Sequence, residues 1–459
     1  MAHRRTMVRA GRVLVACVLL GALPPVARAA VREGKRGPSL ISLAIDGREA
    51  DGASFTPAIS ADGRVIAFTS AASTLVPGDT NGAEDVFVYD RETGATERVS
   101  LSSAGDQGDG ASYDPAISAD GRHVAFTSAA SNLIADDRNN ELDIFVRDRL
   151  TGRTVLASVG PQGLTGDGPS VAASISGDGR FVAFESDADT LVRSDNNGTG
   201  DVFVRDLLND VTRKISVAGN GQQTESPSFG AAISADGTTV AFESFSDRLV
   251  PGDTNHALDV FVADVRSGAI ERVSLATDGG QPDDRSYSPS ISDDGRVVAF
   301  ASFAGNLVEN DTNGLLDVFV RRRDRQTTTR LSVGPEGVDG NGLSFAPVVS
   351  SDGSLVVFSS EAGNLVADDS NGTRDVFLAS TESGSLTRLS RRPGTGREAQ
   401  SDGPSLGPVV DGTGVIVAFA SFATNLVPGD TNGQSDVFVT ESAEFNAARV
   451  TRPGAASRR

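Results

Sequence analysis

Asp-x-Asn-x-x-x-Asp occurs seven times in this chain: Asp79, Asn81, Asp85; Asp137, Asn139, Asp143; Asp195, Asn197, Asp201; Asp253, Asn255, Asp259; Asp311, Asn313, Asp317; Asp369, Asn371, Asp375; and Asp430, Asn432, Asp436. Two chemistries suit that spacing. Hard cations such as Ca²⁺ take about six to eight oxygen ligands, and a tight loop alternating Asp and Asn supplies side-chain and carbonyl oxygens. The spacing is shorter than a D-x-D-x-D-G loop, however, and it brings no bidentate Glu. The other chemistry is structural: Asp and Asn close the loop through Asx-turns, Asn-Gly supplies positive φ, and the last Asp fastens the strand that follows. Sevenfold repetition favours the structural role and leaves Ca²⁺ as the competing expectation for these residues.

Signals for catalysis are thinner. Gly403-Pro404-Ser405-Leu406-Gly407 spells G-x-S-x-G, but no His follows it, so the Ser, Asp, His order of a nucleophile elbow is impossible. The same segment lines up with Gly110-Ala111-Ser112 and Gly168-Pro169-Ser170. His123, beside Val124, reads as a satisfied surface or core residue, and His256 stands in for a loop Gly. Paired carboxylates are frequent enough for glycosidase-like acid–base work. Yet no copy is expected to carry a polar constellation that the others lack, and three Tyr with no Trp offer few platforms for stacking sugars.

The acids hold fixed places in a repeat. Asp-Gly pairs begin at Asp62, Asp120, Asp178, Asp236, Asp294 and Asp352, each 58 residues after the last, and Asp-(Val/Ile)-Phe-(Val/Leu) follows the same step from Asp85 to Asp375. The seventh copy is displaced by three residues, with the insertion between Arg391 and Gly403, and Thr413 replaces its turn Asp. Each copy reads as four strands, in the first one Ser54–Ser60, Arg64–Ser70, Asp85–Asp90 and Thr96–Ser102, joined by turns at Asp62-Gly63 and Glu92-Thr93-Gly94. The reading is all-β: a seven-bladed β-propeller over residues 40–452, with repeats near 54–111, 112–169, 170–227, 228–285, 286–343, 344–401 and 402–452. Two Phe columns, Phe68 to Phe419 on the second strand and Phe87 to Phe438 on the third, take 14 of the 22 Phe and read as blade core.

Calling the strands a to d, antiparallel order puts the a–b and c–d turns on one face and the b–c and d–a connections on the other. The triads therefore gather on one acidic face, joined there by link acids such as Asp106, Asp109, Asp167, Glu225, Asp283, Asp339 and Asp402. The outer place of blade 7 has two claimants, Leu40–Ala44 and Ala447–Arg452. The N-terminal one is favoured.

Ser60-Ala61-Asp62-Gly63-Arg64-Val65-Ile66-Ala67-Phe68, with Asp85-Val86-Phe87-Val88 and Arg98-Val99-Ser100, resembles the WD40-like repeat of the TolB type, and the match recurs in all seven copies. The resemblance implies the propeller and little about function. The α/β domain that precedes the TolB propeller is expected to be absent, and seven repeats exceed the six expected there, so a Tol–Pal role is not implied. Such repeats also stand before serine-peptidase domains of the prolyl oligopeptidase kind, and no such domain is expected here.

Composition narrows the partners. The 459 residues carry 41 Lys+Arg against 61 Asp+Glu, a net charge of -20, which argues against nucleic acid held through its phosphates. One Cys excludes an internal disulfide, and with three His it cannot build the usual zinc sites. Residues 1–29 read as a secretory signal peptide: Arg4, Arg5, Arg9 and Arg12, then an apolar run to Leu23, then Ala27-Arg28-Ala29. Arg4-Arg5 also suits the twin-arginine route, whereas Cys17 of Leu14-Val15-Ala16-Cys17 follows too short an apolar run for lipidation. Cleavage removes five Arg and no acid, leaving a charge of -25. Residues 30–39 read as a linker and 453–459 as a tail, and no later segment reaches the roughly 18 apolar residues of a membrane span. The expected protein is a monomeric, non-catalytic scaffold, secreted or held in the periplasmic or envelope space. Its acidic face would bind a protein or another cationic or cation-bridged ligand. The alternatives are an exported hydrolase or lyase acting in the central channel, and a calcium-stabilised structural module.

Overall fold

A computed structural model describes residues 37–135, 137–394 and 399–442. The signal-peptide segment and Ala447–Arg452 lie outside the described residues. Each repeat forms one four-stranded antiparallel sheet, and there are seven. In blade 1 the order is β2 (Ser54–Ile59), β3 (Val65–Ser70), β4 (Asp85–Asp90) and β5 (Ala95–Arg98), which are strands a to d. The a strands of successive blades pack on one another, so they line the axis of the ring.

Strand d is shorter than its sequence pattern suggests. Past Arg98 the Ser100 hydroxyl, rather than a backbone carbonyl, lies 3.2 Å from the Val86 N–H, and it donates to Asp85 Oδ1 at 2.5 Å. Strand a is bulged at its third residue, where φ turns positive at Thr56, Asp114, Ala172, Gly230, Ser288, Ala346 and Gly407. Such a bulge re-aims the side chain beside it and so suits a channel lining.

The Phe columns form the core. Phe68 stands opposite Phe87 across strands b and c, their rings stacked at 6.0 Å, and each of the other six blades repeats the pair at 5.8–6.0 Å. One blade's Phe face packs on the Val/Ala face of the blade before it. Phe126 and Phe145 of blade 2 sit with Val65, Ala67, Val86 and Val88 of blade 1. At about 1.5–3 kcal/mol per buried side chain, these pairs make each inter-blade seam a hydrophobic core.

Blade 7 has β26 (Ser405–Val410), β27 (Ile416–Ser421) and β28 (Asp436–Glu441), and its fourth place is taken by β1 (Ser39–Leu40). Leu40 pairs with Phe438, Ile41 N–H donates to Val437 O at 3.0 Å, and Ser42 Oγ donates to Asp436 at 2.6 Å. The inserted residues fall in the last d–a link: its bridge joins Arg391 to Gln400, where the others span six residues, as Leu101 to Gln107 does. In the a–b turns Ser60 Oγ and the Arg64 N–H bond to Asp62, and the turn of blade 7 trades these roles, Asp411 accepting from Thr413 Oγ1 and the Ile416 N–H.

At the a–b turn end, backbone groups of neighbouring blades bond around the axis. Ala61 N–H donates to Ala119 O, Ala119 to Gly177, Gly177 to Ala235, Asp293 to Ser351, and Gly412 back to Ala61, at 2.8–3.0 Å. The channel narrows there to a cavity of about 160 Å³ ringed by Ile59, Ile117, Ile175, Ile233, Ile291, Val349 and Val410. Its other end lies among the b–c and d–a connections.

Candidate functional site

The third residue of every triad, its second acid, opens strand c and is fully buried, from Asp85 to Asp436. One of its oxygens accepts a Ser hydroxyl and the other accepts the triad Asn, as Asp201 does from Ser216 at 2.5 Å and Asn197 at 2.9 Å. The Asn also closes its own loop, Asn81 Oδ1 accepting the Ala83 N–H at 3.1 Å. Several link acids turn inward as caps. Asp51 takes Ser73 and Thr74, Asp402 takes Thr424, and hydrogen bonds from Ser73 and Thr74 hold the Asp51 carboxyl below its ordinary range.

Two buried carboxylates per loop need compensation, because an unpaired buried charge costs far more than a paired one. In five blades strand d supplies it. Arg98 lies 3.3 Å from Asp79 and 3.2 Å from Asp85; Lys214 lies 2.8 and 2.5 Å from Asp195 and Asp201. Arg272 reaches Asp253 and Asp259 at 2.8 and 3.1 Å, Arg330 reaches Asp311 and Asp317 at 2.7 and 3.3 Å, and Arg388 reaches Asp369 and Asp375 at 2.7 and 3.4 Å. The triads of blades 1, 3, 4, 5 and 6 thus hold the chain's own cation.

Blades 2 and 7 do not. The strand-d residue opposite the strand-c Phe, which is Arg98 in blade 1, is Leu156 in blade 2 and Leu40 in blade 7. Blade 7 goes further. Its d–a link presents Glu49 where the others present Gln107, Thr165, Gln223, Gln281, Asp339 and Gln400. Glu49, Asp430 and Asp436 therefore meet with no Lys or Arg among the described residues paired to them. Asp430 is 5 % exposed, and burial together with Asp436 and Glu49 pushes its carboxyl up to about 6. In blade 2, burial pushes Asp143 up to about 6 as well. Replacing Leu40 by Arg, which restores the repeat's cation, is expected to raise stability by about 1 kcal/mol at pH 7 and to return Asp430 toward the ordinary carboxylate range. Urea melts and an NMR titration check both.

The channel mouth breaks the repeat in a way the sequence reading missed. The strand-b residue two places before the b–c loop is Thr69, Thr127, Ala301, Ser359 and Ala420 in five blades, but Glu185 and Glu243 in blades 3 and 4. The two carboxylates flank one residue, Gly230. Its N–H donates to Glu185 Oε2 at 3.0 Å, and a Cβ placed on it would come within 2.4 Å of Glu243 Oε1. Thr, Asp, Ala and Ser adopt the same positive φ at this bulge in other blades, so what distinguishes Gly230 is that the Glu243 carboxylate occupies the space of a Cβ. Glu243 is 8 % exposed and its Oε2 has no hydrogen-bond partner among the described residues. Burial, with Glu185 adding to it, pushes Glu243 up to about 8. Aromatic residues neighbour the pair along the strands: Phe229 stands opposite Glu243, Phe245 packs on Phe229 at 6.0 Å and is 47 % exposed, and Tyr287 packs on Phe303 at 6.2 Å in blade 5. Comparing equivalent positions at the 58-residue step would have shown both departures.

The remaining sequence candidates are structural in their contacts. Ser405 pairs with Ser421 at 2.9 Å, one of seven such Ser pairs, and His256 bonds to Asp247. His123 packs on the Gly179 turn of the next blade, half-buried. Among the described residues no three Asp, Glu, His or Cys side chains stand at metal-ligand spacing, and no helix is long and apolar enough to cross a membrane.

No protein-family model and no curated protein sequence matches this chain. Among solved structures it is similar to an oligogalacturonate lyase from Vibrio parahaemolyticus, at 14% identity over 86% of this chain and 92% of that one, TM-score 0.52. It is similar also to the β-propeller domain of the Trilobed protease from Pyrococcus furiosus, at 11% identity over 85% and 95%, TM-score 0.51. TolB from Acinetobacter baumannii matches at 15% identity over 74% of this chain and 63% of that one, TM-score 0.40. At such identities the likeness is one of fold, and the fold is the seven-bladed β-propeller.

Proposed function

We propose that this protein is an exported, monomeric, non-catalytic scaffold that holds a partner bearing basic groups on the face of its b–c and d–a connections. The observation behind the reading is the contrast between blades. Five acid sets are completed by the chain's own Arg or Lys, whereas Glu49, Asp430 and Asp436 of blade 7 and Asp137 and Asp143 of blade 2 face Leu in that place. A partner's basic side chain supplies there what Arg330 supplies in blade 5, and complementary charge of this kind steers association and fixes register. The signal-peptide pattern of residues 1–29 supports export.

The test is a comparison of two baits. Immobilised wild-type protein is expected to retain a partner from culture supernatant or envelope extract and to release it as salt rises, since exposed ion pairs are screened. A Glu49→Gln, Asp430→Asn double variant is expected to lose it. Equal recovery on both baits sinks the reading.

A further inference from the structure

Blades 3 and 4 hold the other uncompensated acids of this face. Glu185 and Glu243 flank Gly230 at the channel mouth, and the Oε2 of Glu243, on a side chain more than nine-tenths buried, meets no donor among the described residues. Equivalent positions in the other blades carry Thr, Ser or Ala, so neither Glu is needed to build a blade. Glu185 already uses one oxygen on the Gly230 N–H. The residue facing Glu243 across the strands is Phe229, and Phe245, just past the end of strand b, packs its ring on that of Phe229.

We propose that Glu185 and Glu243, with the rings of Phe229 and Phe245, form a receptor for one organic cation, an ammonium or guanidinium group. A buried acid pair is satisfied by charge of opposite sign, and a desolvated cation gains further from an aromatic face within roughly 6 Å. A neutral ligand would leave the charge of the pair uncompensated. The inference rests on the reading of this face as a surface for basic groups, and it places one such group where blades 3 and 4 meet.

Two sources share this chemistry, a free amine and a basic side chain of a polypeptide. Calorimetric titration of the full chain with agmatine and with the tripeptide Gly-Arg-Gly separates them: agmatine alone binding means a free amine, and binding of the tripeptide means a polypeptide side chain. Either outcome is expected to be saturable, with one site per chain. Glu243→Gln and Glu185→Gln are each expected to weaken the binding probe about tenfold or more, and Glu92→Gln, in an exposed c–d turn on the opposite face, leaves it unchanged. Circular dichroism of both Gln variants establishes that they are folded, and either one suffices if the other is not. Saturable binding by neither probe overturns the proposal, as does binding that a folded Gln variant leaves intact. A partner lost by the blade 7 double variant but kept by Glu243→Gln would overturn this site and leave the wider face reading standing.

Discussion

Replacing Arg330 by Leu, the residue that blade 7 carries at this place, is expected to destabilise the propeller by about 3–5 kcal/mol at pH 7. Arg330 is 7 % exposed and lies 2.7 Å from Asp311 and 3.3 Å from Asp317, both buried, with Asp339 bonded to it from the link. Removing the cation leaves two buried acids, Asp311 and Asp317, and the partly exposed Asp339 without it. The cost comes from stranding them, not from losing the net worth of the pair, which is small once desolvation is counted. Two comparisons isolate this cause. Arg330→Lys is expected to keep most of the stability, because Lys214 holds the same position in blade 3 at 2.8 and 2.5 Å from its two acids. The deficit of Arg330→Leu is expected to shrink on acidification, since burial already raises Asp311 to about 6 and a protonated acid no longer needs the cation. Urea melts of the three proteins at pH 5 and pH 8 decide it, and a deficit independent of pH would point to packing instead.

The same position shows what a sequence can tell and what it cannot. The 58-residue step, the two Phe columns and the Asp-Gly turns dictate seven blades, because each marks a strand or a turn by rules that act within a few residues. That the acidic face is mostly self-neutralised is a different kind of fact. Arg98 and Asp85 are 13 residues apart and meet only because strands c and d pair in the register that sets Arg98 opposite Phe87. The column Arg98, Leu156, Lys214, Arg272, Arg330, Arg388 was visible in the sequence, but its meaning depends on burial. The mouth of the channel is further removed. Glu185 and Gly230 are 45 residues apart and touch because adjacent blades press their inner strands together, a consequence of ring closure that no local pattern encodes. The placement of Leu40 is likewise a matter of closure, since it follows from β1 pairing with β28.

Glu243→Gln is expected to make the protein more stable at alkaline pH while having little effect near pH 4. Glu243 has an ordinary value of 4.5 in the unfolded chain and is pushed up to about 8 in the folded one, first by burial and then by Glu185, against the Ser288 backbone hydrogen bond that lowers it. Between those limits the folded state binds the extra proton, so stability falls as pH rises through the window. Below about pH 4.5 both states are protonated and the carboxyl costs no more than an amide. By pH 8 the wild type has lost on the order of a few kcal/mol to this residue, because each tenfold change in proton affinity between the two states is worth about 1.4 kcal/mol. Gln keeps an acceptor for the Ser288 N–H and cannot ionise, so its variant should lack that slope. Melting temperatures of wild type and Glu243→Gln from pH 5 to pH 8.5 are expected to diverge steadily, the variant lying above. Parallel curves would mean that Glu243 titrates normally and that the channel mouth is wet enough to solvate it. A blade residue that costs stability at neutral and alkaline pH, where Thr, Ser or Ala serves elsewhere, is what a binding site looks like when fold and ligand make different demands on one position.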